Sequence, residues 1–443
     1  MTSRSAVLLL TLLVILSPGG RAAPPADTPD FLDGDTTATL TLEAPLKDLF
    51  ERGAEDENVA VPGTVTFKDA SGKDVVFRDV KVSVRGHTSR REAECTFPKL
   101  KLKFPDKASL KIGTHCGENA GETLSTKYGR LANELSPQRE ALVYRLLHAV
   151  EAPTLRARPA RITYVDAGQR LERNALLLED DDDALKRFGG VREVTMEAFG
   201  DVKARNAASD AARIAFAEAM IGNFDWCMRF APDDIYRCNQ PKPLWNVLAF
   251  ERGDGRTGLA IKDFDLAGTV VGVHPWFKDV FTPAFVASKS KSETEVVAQV
   301  QRTRSLFPRA QLDAERKHLM DRKGAVFAAI DKADVDARGR DIARGYVDAF
   351  YRAIADEAYY RPVVAKESAQ LFADAGGATA ACGAKDLVRV GTPVNVLQKS
   401  GTMSQVVLLD IMWRWGQADP CPAILRGPVW IASEAISADY PSR

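Results

Sequence analysis

Alternation of apolar and polar positions marks the first third of the chain. From "ATLTLEA" at residue 38, through "GTVTFKD" and "DVVFRDVKVSVRG", to "KLKLKFP", apolar residues recur at every second position. That is the period of strands with one buried face. Ser71-Gly72 separates two of these runs as a turn. In "KLKLKF", Lys99, Lys101 and Lys103 share one face, and Leu100, Leu102 and Phe104 share the other.

The period then changes. Leu142, Val143, Leu146, Leu147 and Val150 recur at helical spacing, which predicts a helix with one buried face. Ser136 stands where a cap is expected, Pro137 suits the first helical position, Pro153 follows the end, and Glu140 falls near the first turn. "ARITYVDAGQRLERNALLLE" predicts two more strands joined at Ala167-Gly168, ending at Glu179 and the acidic run Asp180 to Asp183.

Beyond Asp183 the chain becomes helical. "ASDAARIAFAEAMIG" predicts a helix ending at Gly222, and residues 308 to 360 are mostly helical in pattern. Between them lies a β patch whose hairpin turns at Gly253-Asp254-Gly255. From about Lys385 short strands return with glycine turns, the spacing of a small β-barrel module of SH3-like type. The expected class is therefore α+β: residues 37–180 strand-rich, 181–360 helical, and 380–443 a small all-β module.

Length and composition keep this picture within globular proteins. The chain has 443 residues, enough for two or three packed units, and is 45% hydrophobic and 27% charged. Sixty basic residues balance sixty acidic ones, so no global field draws it to nucleic acid or to a membrane surface. Arg4, the apolar run Ala6 to Leu16 and the small residues of "SPGGRAAPP" have the layout of a secretory signal cleaved near Ala22 or Ala23. Residues 1–22 are thus expected to be removed, leaving an exported protein, periplasmic or extracellular, with no membrane insertion after cleavage. Residues 24–36 read as a flexible lead-in.

All six cysteines follow the signal, and none forms a CxxC pair. An even count in an oxidising compartment favours disulfides over a structural zinc site. The sequential pairing Cys95–Cys116, Cys227–Cys238 and Cys382–Cys421 keeps each bridge within one unit.

Two acidic clusters carry the candidate chemistry. In "IKDFDLAG", Asp263 and Asp265 stand two residues apart at the end of a predicted strand, where paired carboxylates can hold a hard divalent ion; a turn capped by aspartate before Gly268 is the plainer alternative. In "IGNFDW", Asp225 follows a helix, and Asn246 lies on the strand beyond, a pairing that phosphoryl-transfer sites use to orient an acceptor hydroxyl. The alternative there is a helix end with Gly222 in the left-handed region and local bonds from Asn223 and Asp225. A strand lysine held by Glu140 could grip nucleotide phosphates, although spacing does not choose among Lys99, Lys101 and Lys103, and a solvated strand face fits equally. Arg85, Gly86 and Ser89 form a turn that could present donors to phosphate, or a simple hairpin loop. There is no HExxH, GxSxG or GxxxxGK[ST] run, which removes the usual zinc hydrolase, serine hydrolase and P-loop signatures.

The order "VKVSVRGHTS", "FPKLKLKF", "SPQREALVYRLLHAVEAPTLRARPARITYVD", "NALLLE", "GNFDW", "LWNVLAF", "IKDFDLAG" resembles the CotH kinase-like family, the spore coat protein H group, over roughly residues 75 to 270. The resemblance implies a bilobal protein-kinase-like fold, with a β-rich N-lobe, a helical C-lobe, and ATP and Mg2+ between them. It implies nucleotide contacts from Arg85, Ser89, Lys101, Glu140 and Glu179, Asp225 as the catalytic acid, and Asn246, Asp263 and Asp265 as metal ligands. The expected activity is Mg2+-dependent transfer of the ATP γ-phosphoryl group to Ser or Thr of an exported or envelope protein. One departure stands out: twenty residues separate Asp225 from Asn246, and a Cys227–Cys238 bridge is expected to pinch that insert. A catalytically inactive kinase-like scaffold, using the C-terminal module to bind peptide or cell wall, is the alternative.

Overall fold

The computed structural model describes residues 30–69, 71–86, 89–90, 95–106, 108–116, 125–126, 129–130, 134–199, 210–228, 243–272, 296, 299–300, 303, 307, 309–355, 363–365, 369–381, 394–408 and 428–437. The signal segment and Cys238, Cys382 and Cys421 lie outside the described residues.

Alternation in the first part of the chain produces β1 (Ala38–Glu43), β2 (Ala60–Lys68), β3 (Asp74–Val84), β4 (Leu100–Lys103) and β5 (Ser109–Gly113). The two-residue strands β6 (Ser125–Thr126) and β7 (Gly129–Arg130) follow, and later β8 (Ala157–Asp166) and β9 (Gln169–Glu179). Seven of these form a closed barrel in the order β1-β2-β3-β4-β5-β9-β8. Closure comes from a parallel pairing of β1 with β8, from Ala38 opposite Ala160 to Glu43 opposite Val165. A closed sheet has no edge, so no row of backbone donors is left unpaired.

Side-chain period fills the barrel. Leu100 and Leu102 are fully buried inside with Val80, Val82, Leu110, Ile112, Ala160 and Ile162. Lys101 sits opposite Lys111 on the outer face of β4 and β5. β9 explains the unbroken apolar run "ALLL": Ala175 and Leu177 face the barrel core, while Leu176 and Leu178 belong to a second core outside it. A short helix, α1 (Leu46–Gly53), packs on β2, β3 and β8 at one barrel end. Leu46, Leu49, Phe50 and Gly53 stand at i, i+3, i+4 and i+7, so the helical period was present in the sequence and was not read.

The second core is built by α2 (Ser136–Ala149), α3 (Asp181–Arg187), α4 (Met196–Phe199), α5 (Ala211–Met220), α6 (Gly268–Val271), α7 (Arg309–Asp321), α8 (Lys323–Lys332) and α9 (Ala337–Ala355). Ser136 does not cap α2 as expected; it is the first helical residue, Leu135 precedes it, and no side-chain cap bond forms. Arg139 anchors α2 instead, with Nε and Nη2 donating to Asp336 at 2.8 and 3.0 Å and Nη1 donating to the Val270 carbonyl at 3.2 Å. The acidic run caps and opens α3, with the Asp180 side chain accepting from the Asp182 amide.

A three-stranded sheet, β10 (Gly190–Glu193), β13 (Val247–Arg252) and β14 (Thr257–Ile261), carries the expected hairpin, and β11 (Cys227–Met228) pairs with β12 (Leu244–Trp245). At the C-terminal end, β15 (Val363–Val364) pairs with β20 (Ile436–Ser437). There β16 (Leu371–Phe372), β17 (Val394–Ser400), β18 (Met403–Leu408) and β19 (Val429–Ala432) form a four-stranded sheet with its own apolar core. The architecture is thus mixed α/β, a strand barrel followed by a helix-rich part. Cys95 and Cys116 are bridged as expected, and Cys227 is disulfide-bonded. Among the described residues, no helix is long and apolar enough to cross a membrane.

Two glycines bring the acidic clusters together. The Gly268 amide donates to the Gly222 carbonyl at 3.0 Å, and the Thr269 amide and hydroxyl both donate to the Ile221 carbonyl at 3.1 and 3.2 Å. The fully buried ring of Tyr346, on α9, lies where a Cβ on either glycine would fall, 2.2 Å away at Gly222 and 2.3 Å at Gly268. Gly222 also has φ +65°, the left-handed region that glycine enters without penalty. Gly268→Ala is therefore expected to cost about 1–3 kcal/mol in chemical unfolding. Gly324→Ala, with nothing within 4 Å of the new methyl in α8, is expected to be neutral or to stabilise by up to about 1 kcal/mol. Equal effects from the two substitutions would contradict the packing described.

Candidate functional site

Five elements deliver side chains to one place. The end of β3 supplies Arg85, and the residue before β4 supplies Lys99; the Arg85 amide donates to the Lys99 carbonyl at 2.8 Å. One face of α2 supplies Glu140 and, one turn on, Tyr144. The open end of the β13–β14 hairpin supplies Asn246 and Asp263, aligned by the Val247–Ile261 pair and by the Lys262 amide donating to the Asn246 carbonyl at 3.1 Å. The turn after α5 supplies Asn223 and Asp225. Asn246 and Asp263 have φ of +54° and +67°, conformations that asparagine and aspartate tolerate best among side-chain-bearing residues and that cluster where function over-determines the backbone.

Lys99 is the centre of the site. Its Nζ lies 3.0 Å from Asp263 Oδ1 and 3.0 Å from Asp265 Oδ2, with a side chain only 16% exposed. Burial pushes the ammonium towards losing its proton, but Asp263, Asp265 and Glu140 outweigh this and hold its pKa well above the ordinary lysine value. Glu140 is buried and accepts a hydrogen bond from the Phe264 amide at 3.3 Å. Burial first, and then the charges of Asp265 and Asp263, push its carboxyl up to about 7 against the pull of Lys99. The two aspartates diverge. Burial raises both, yet Lys99, Arg85 and Lys262 bring Asp263 below its usual range, whereas the neighbouring charges of Asp263 and Asp225 keep Asp265 above it. The Asp263 amide donates to the Tyr144 hydroxyl at 3.3 Å, which ties this aspartate to α2.

Asp225 reaches the same cluster. Its amide donates to Asn223 Oδ1 at 2.9 Å, and Asn246 Nδ2 donates to its carbonyl at 2.6 Å and to its Oδ2 at 3.1 Å. The twenty-residue insert does not separate Asp225 from Asn246, because β11 and β12 pair, Cys227 opposite Trp245 and Met228 opposite Leu244, and return the chain. The bridge expected to pinch this insert involves Cys238, outside the described residues.

Of the three strand lysines, Lys101 pairs with Asp180 at 2.7 Å, whereas Lys99 meets Asp263 and Asp265. All three lysines share a strand face, and Asp180, at the N-terminus of α3, meets Lys101 rather than Lys99. Asp181 extends that side, pairing with Lys111 at 2.8 Å and Lys262 at 2.9 Å; burial raises its carboxyl, but the two ammoniums bring it down to about 2. Glu179 is committed to structure: Arg187 grips it at 2.8 and 2.7 Å and the Arg156 amide donates to it at 2.9 Å. Ser89 Oγ donates to the Arg85 carbonyl at 3.4 Å, and Gly86 has φ +96°. Arg85 Nε is buried without a hydrogen-bond partner among the described residues, and its charge acts on Lys99 and Asp263. Tyr144 was missed, although it follows Glu140 by four residues and so shares its helix face, whereas Asn223 makes the local bond beside Asp225 that the plainer alternative expected.

Four carboxylates, from Glu140, Asp225, Asp263 and Asp265, meet two cations, Lys99 and Arg85, so negative charge is in excess. Among the described residues no group of three or more His, Cys, Asp or Glu side chains is arranged to hold a metal by itself. Mg2+ is commonly held by one or two carboxylates with substrate phosphates completing the shell, a demand that Asp263, Asp265 and the Asn246 amide can meet. Compared with known protein families and with curated proteins, the chain matches none.

Because the Glu140 carboxyl titrates above its ordinary value of 4.5, its contribution to stability is full below that pH and is lost as pH rises through about 7. Thermal unfolding from pH 4.5 to 8 is expected to show the native chain losing ground to Glu140→Gln by up to about 3 kcal/mol. Parallel curves for the two proteins would show that Glu140 is ionised throughout.

Proposed function

We propose that this chain is a CotH-like atypical kinase, exported from the cell, that transfers the γ-phosphoryl group of ATP to a Ser or Thr hydroxyl of an exported or envelope protein. The observation that carries this reading is Lys99, a cation from the strand barrel, meeting Asp263 and Asp265 beside Glu140 from α2. Lysine, helix glutamate and metal-side aspartate are the parts that protein kinases assemble around nucleotide phosphates. The bridged Cys95 and Cys116 suit an oxidising compartment.

In this reading each residue has one task. Lys99 turns from the two aspartates to the phosphates, and Glu140, already within its electrostatic reach, keeps it oriented. Arg85 adds a second cation on the barrel side. Asp263, Asp265 and Asn246 would hold Mg2+, whose charge would offset that of the phosphates. Asp225 accepts the proton of the acceptor hydroxyl on its carboxylate, while Asn246 and Asn223 fix its position through the bonds at 3.1 and 2.9 Å. Positioning and charge neutralisation account for the rate enhancement.

The alternative, an inactive kinase-like platform whose SH3-like C-terminal module binds peptide or cell wall, draws on one observation: the four-stranded sheet has a core of its own. Nucleotide binding separates the two. Millimolar ATP with Mg2+ is expected to stabilise the mature chain by about 2–3 kcal/mol if Kd is near 10 µM. Lys99→Met and Asp263→Ala should abolish the effect, and Lys101→Met should leave it intact. Asp225→Asn should retain nucleotide binding and lose phosphoryl transfer by about 100-fold or more. No stabilisation at millimolar nucleotide would favour the platform.

A further inference from the structure

One buried acid beside the site has no task in the reaction described above. Glu218 lies in the last turn of α5, which ends at Met220, and its side chain is wholly out of water. Backbone bonds close that helix end: the Gly222 amide donates to the Ala219 carbonyl at 3.2 Å, and the Asn223 amide to the Glu218 carbonyl at 3.0 Å. A helix that ends this way on a left-handed glycine commonly pairs the residues at the two ends of the longer bond through an apolar contact. Here those residues are Glu218 and Asn223, both polar and both 0% exposed. Burying them is costly unless each finds a hydrogen-bond partner.

Asn223 has a visible reason to be there. Its Oδ1 accepts from the Asp225 amide at 2.9 Å, which leaves Nδ2 as the side-chain donor for Glu218, whose carboxyl lies beside it. The contact is looser than a formed hydrogen bond, and neither Nδ2 nor either carboxyl oxygen has a partner elsewhere among the described residues. Burial holds the Glu218 carboxyl well above its usual range; Asn223 opposes this and the charge of Asp225 adds to it, so the neutral acid is favoured. A neutral carboxylic acid still offers its carbonyl oxygen to an amide donor. Each orphaned group is what the other lacks.

We propose that Glu218 is a positioning residue for Asp225: its carboxyl engages Asn223 Nδ2, keeps that amide from turning over, and so holds Oδ1 on the Asp225 amide. Asn246 grips the same aspartate through its carbonyl and Oδ2, so Asp225 is fixed both from the helix end and from the strand. The inference rests on the kinase reading for the task of Asp225, but not for the contact itself.

The test compares Glu218→Gln, which keeps a carbonyl oxygen and carries no charge, with Glu218→Met, which supplies the apolar contact usual at such a helix end. Two readouts are taken on the mature full chain. One is hydrogen exchange of the Asp225 amide, resolved to the residue by mass spectrometry. The other is autophosphorylation with labelled ATP and Mg2+, giving the maximal rate and the ATP concentration at half that rate. Glu218→Gln is expected to stay within about twofold of the native chain in both. Glu218→Met is expected to speed Asp225 exchange and to lower the maximal rate, each by about tenfold or more, with the half-saturating ATP concentration unchanged. Its melting temperature should fall by no more than about 5 °C.

Native exchange in Glu218→Met, or losses in Glu218→Gln as large as those in Glu218→Met, would overturn the proposal. A Glu218→Met chain that fails to fold would overturn it too, because Glu218 would then serve stability alone. Exchange is read without turnover, so the two readings fail separately. A native chain that never phosphorylates would count against the kinase reading, and the Asp225 exchange rates would still decide the role of Glu218.

Discussion

A single ammonium group sets the terms for the rest of the molecule. Lys99 leaves the barrel with its side chain largely out of water, and every carboxylate that compensates it comes from the helix-rich part. A charge in that position is tolerated only when paired, and removing one partner of such a pair typically costs about 3–5 kcal/mol. The register of β4 is constrained as a result. A slip of one residue would turn Leu100 towards the aspartates and Lys99 into the apolar barrel, reversing both environments at once. The ion pair is therefore also a statement about how the two parts of the chain fit together.

The acids are held as firmly as the lysine. Gly222 and Gly268 sit in direct backbone contact and leave room for the Tyr346 ring, which fixes the chain on either side of Asp225 and Asp263. The β13–β14 hairpin then sets Asn246 and Asp263 at its open end, both in left-handed backbone conformations. Tyr144 and Glu140 bond backbone amides of the Asp263–Phe264 segment from α2. Few of these supports touch where a substrate would lie, yet they decide which way the carboxylates point.

Much of this was legible in the residues, and what was not has physical reasons. Strand alternation, the hairpin turn at Gly253-Asp254-Gly255 and the helix ending at Gly222 follow from local periodicity and turn chemistry, and the structure has them. Barrel closure was not legible, since the parallel pairing of β1 with β8 joins segments 122 residues apart. Convergence of Asp225 with Asn246 was legible only as a hope, because it depends on the two-residue pairing of β11 with β12. The choice among Lys99, Lys101 and Lys103 was beyond local pattern. The three are equivalent along the strand, and only the ion pairs of the folded chain distinguish Lys101, on Asp180 at the N-terminus of α3, from Lys99, on Asp263 and Asp265.

The interaction itself can be weighed directly. A double-mutant cycle of Lys99→Met and Asp263→Asn, read by urea unfolding at pH 7, isolates the coupling between the barrel cation and its acid. A coupling above about 1 kcal/mol is expected, more than exposed ion pairs provide. Additivity of the two substitutions within about 0.5 kcal/mol would mean that Lys99 does not join the two parts of the chain.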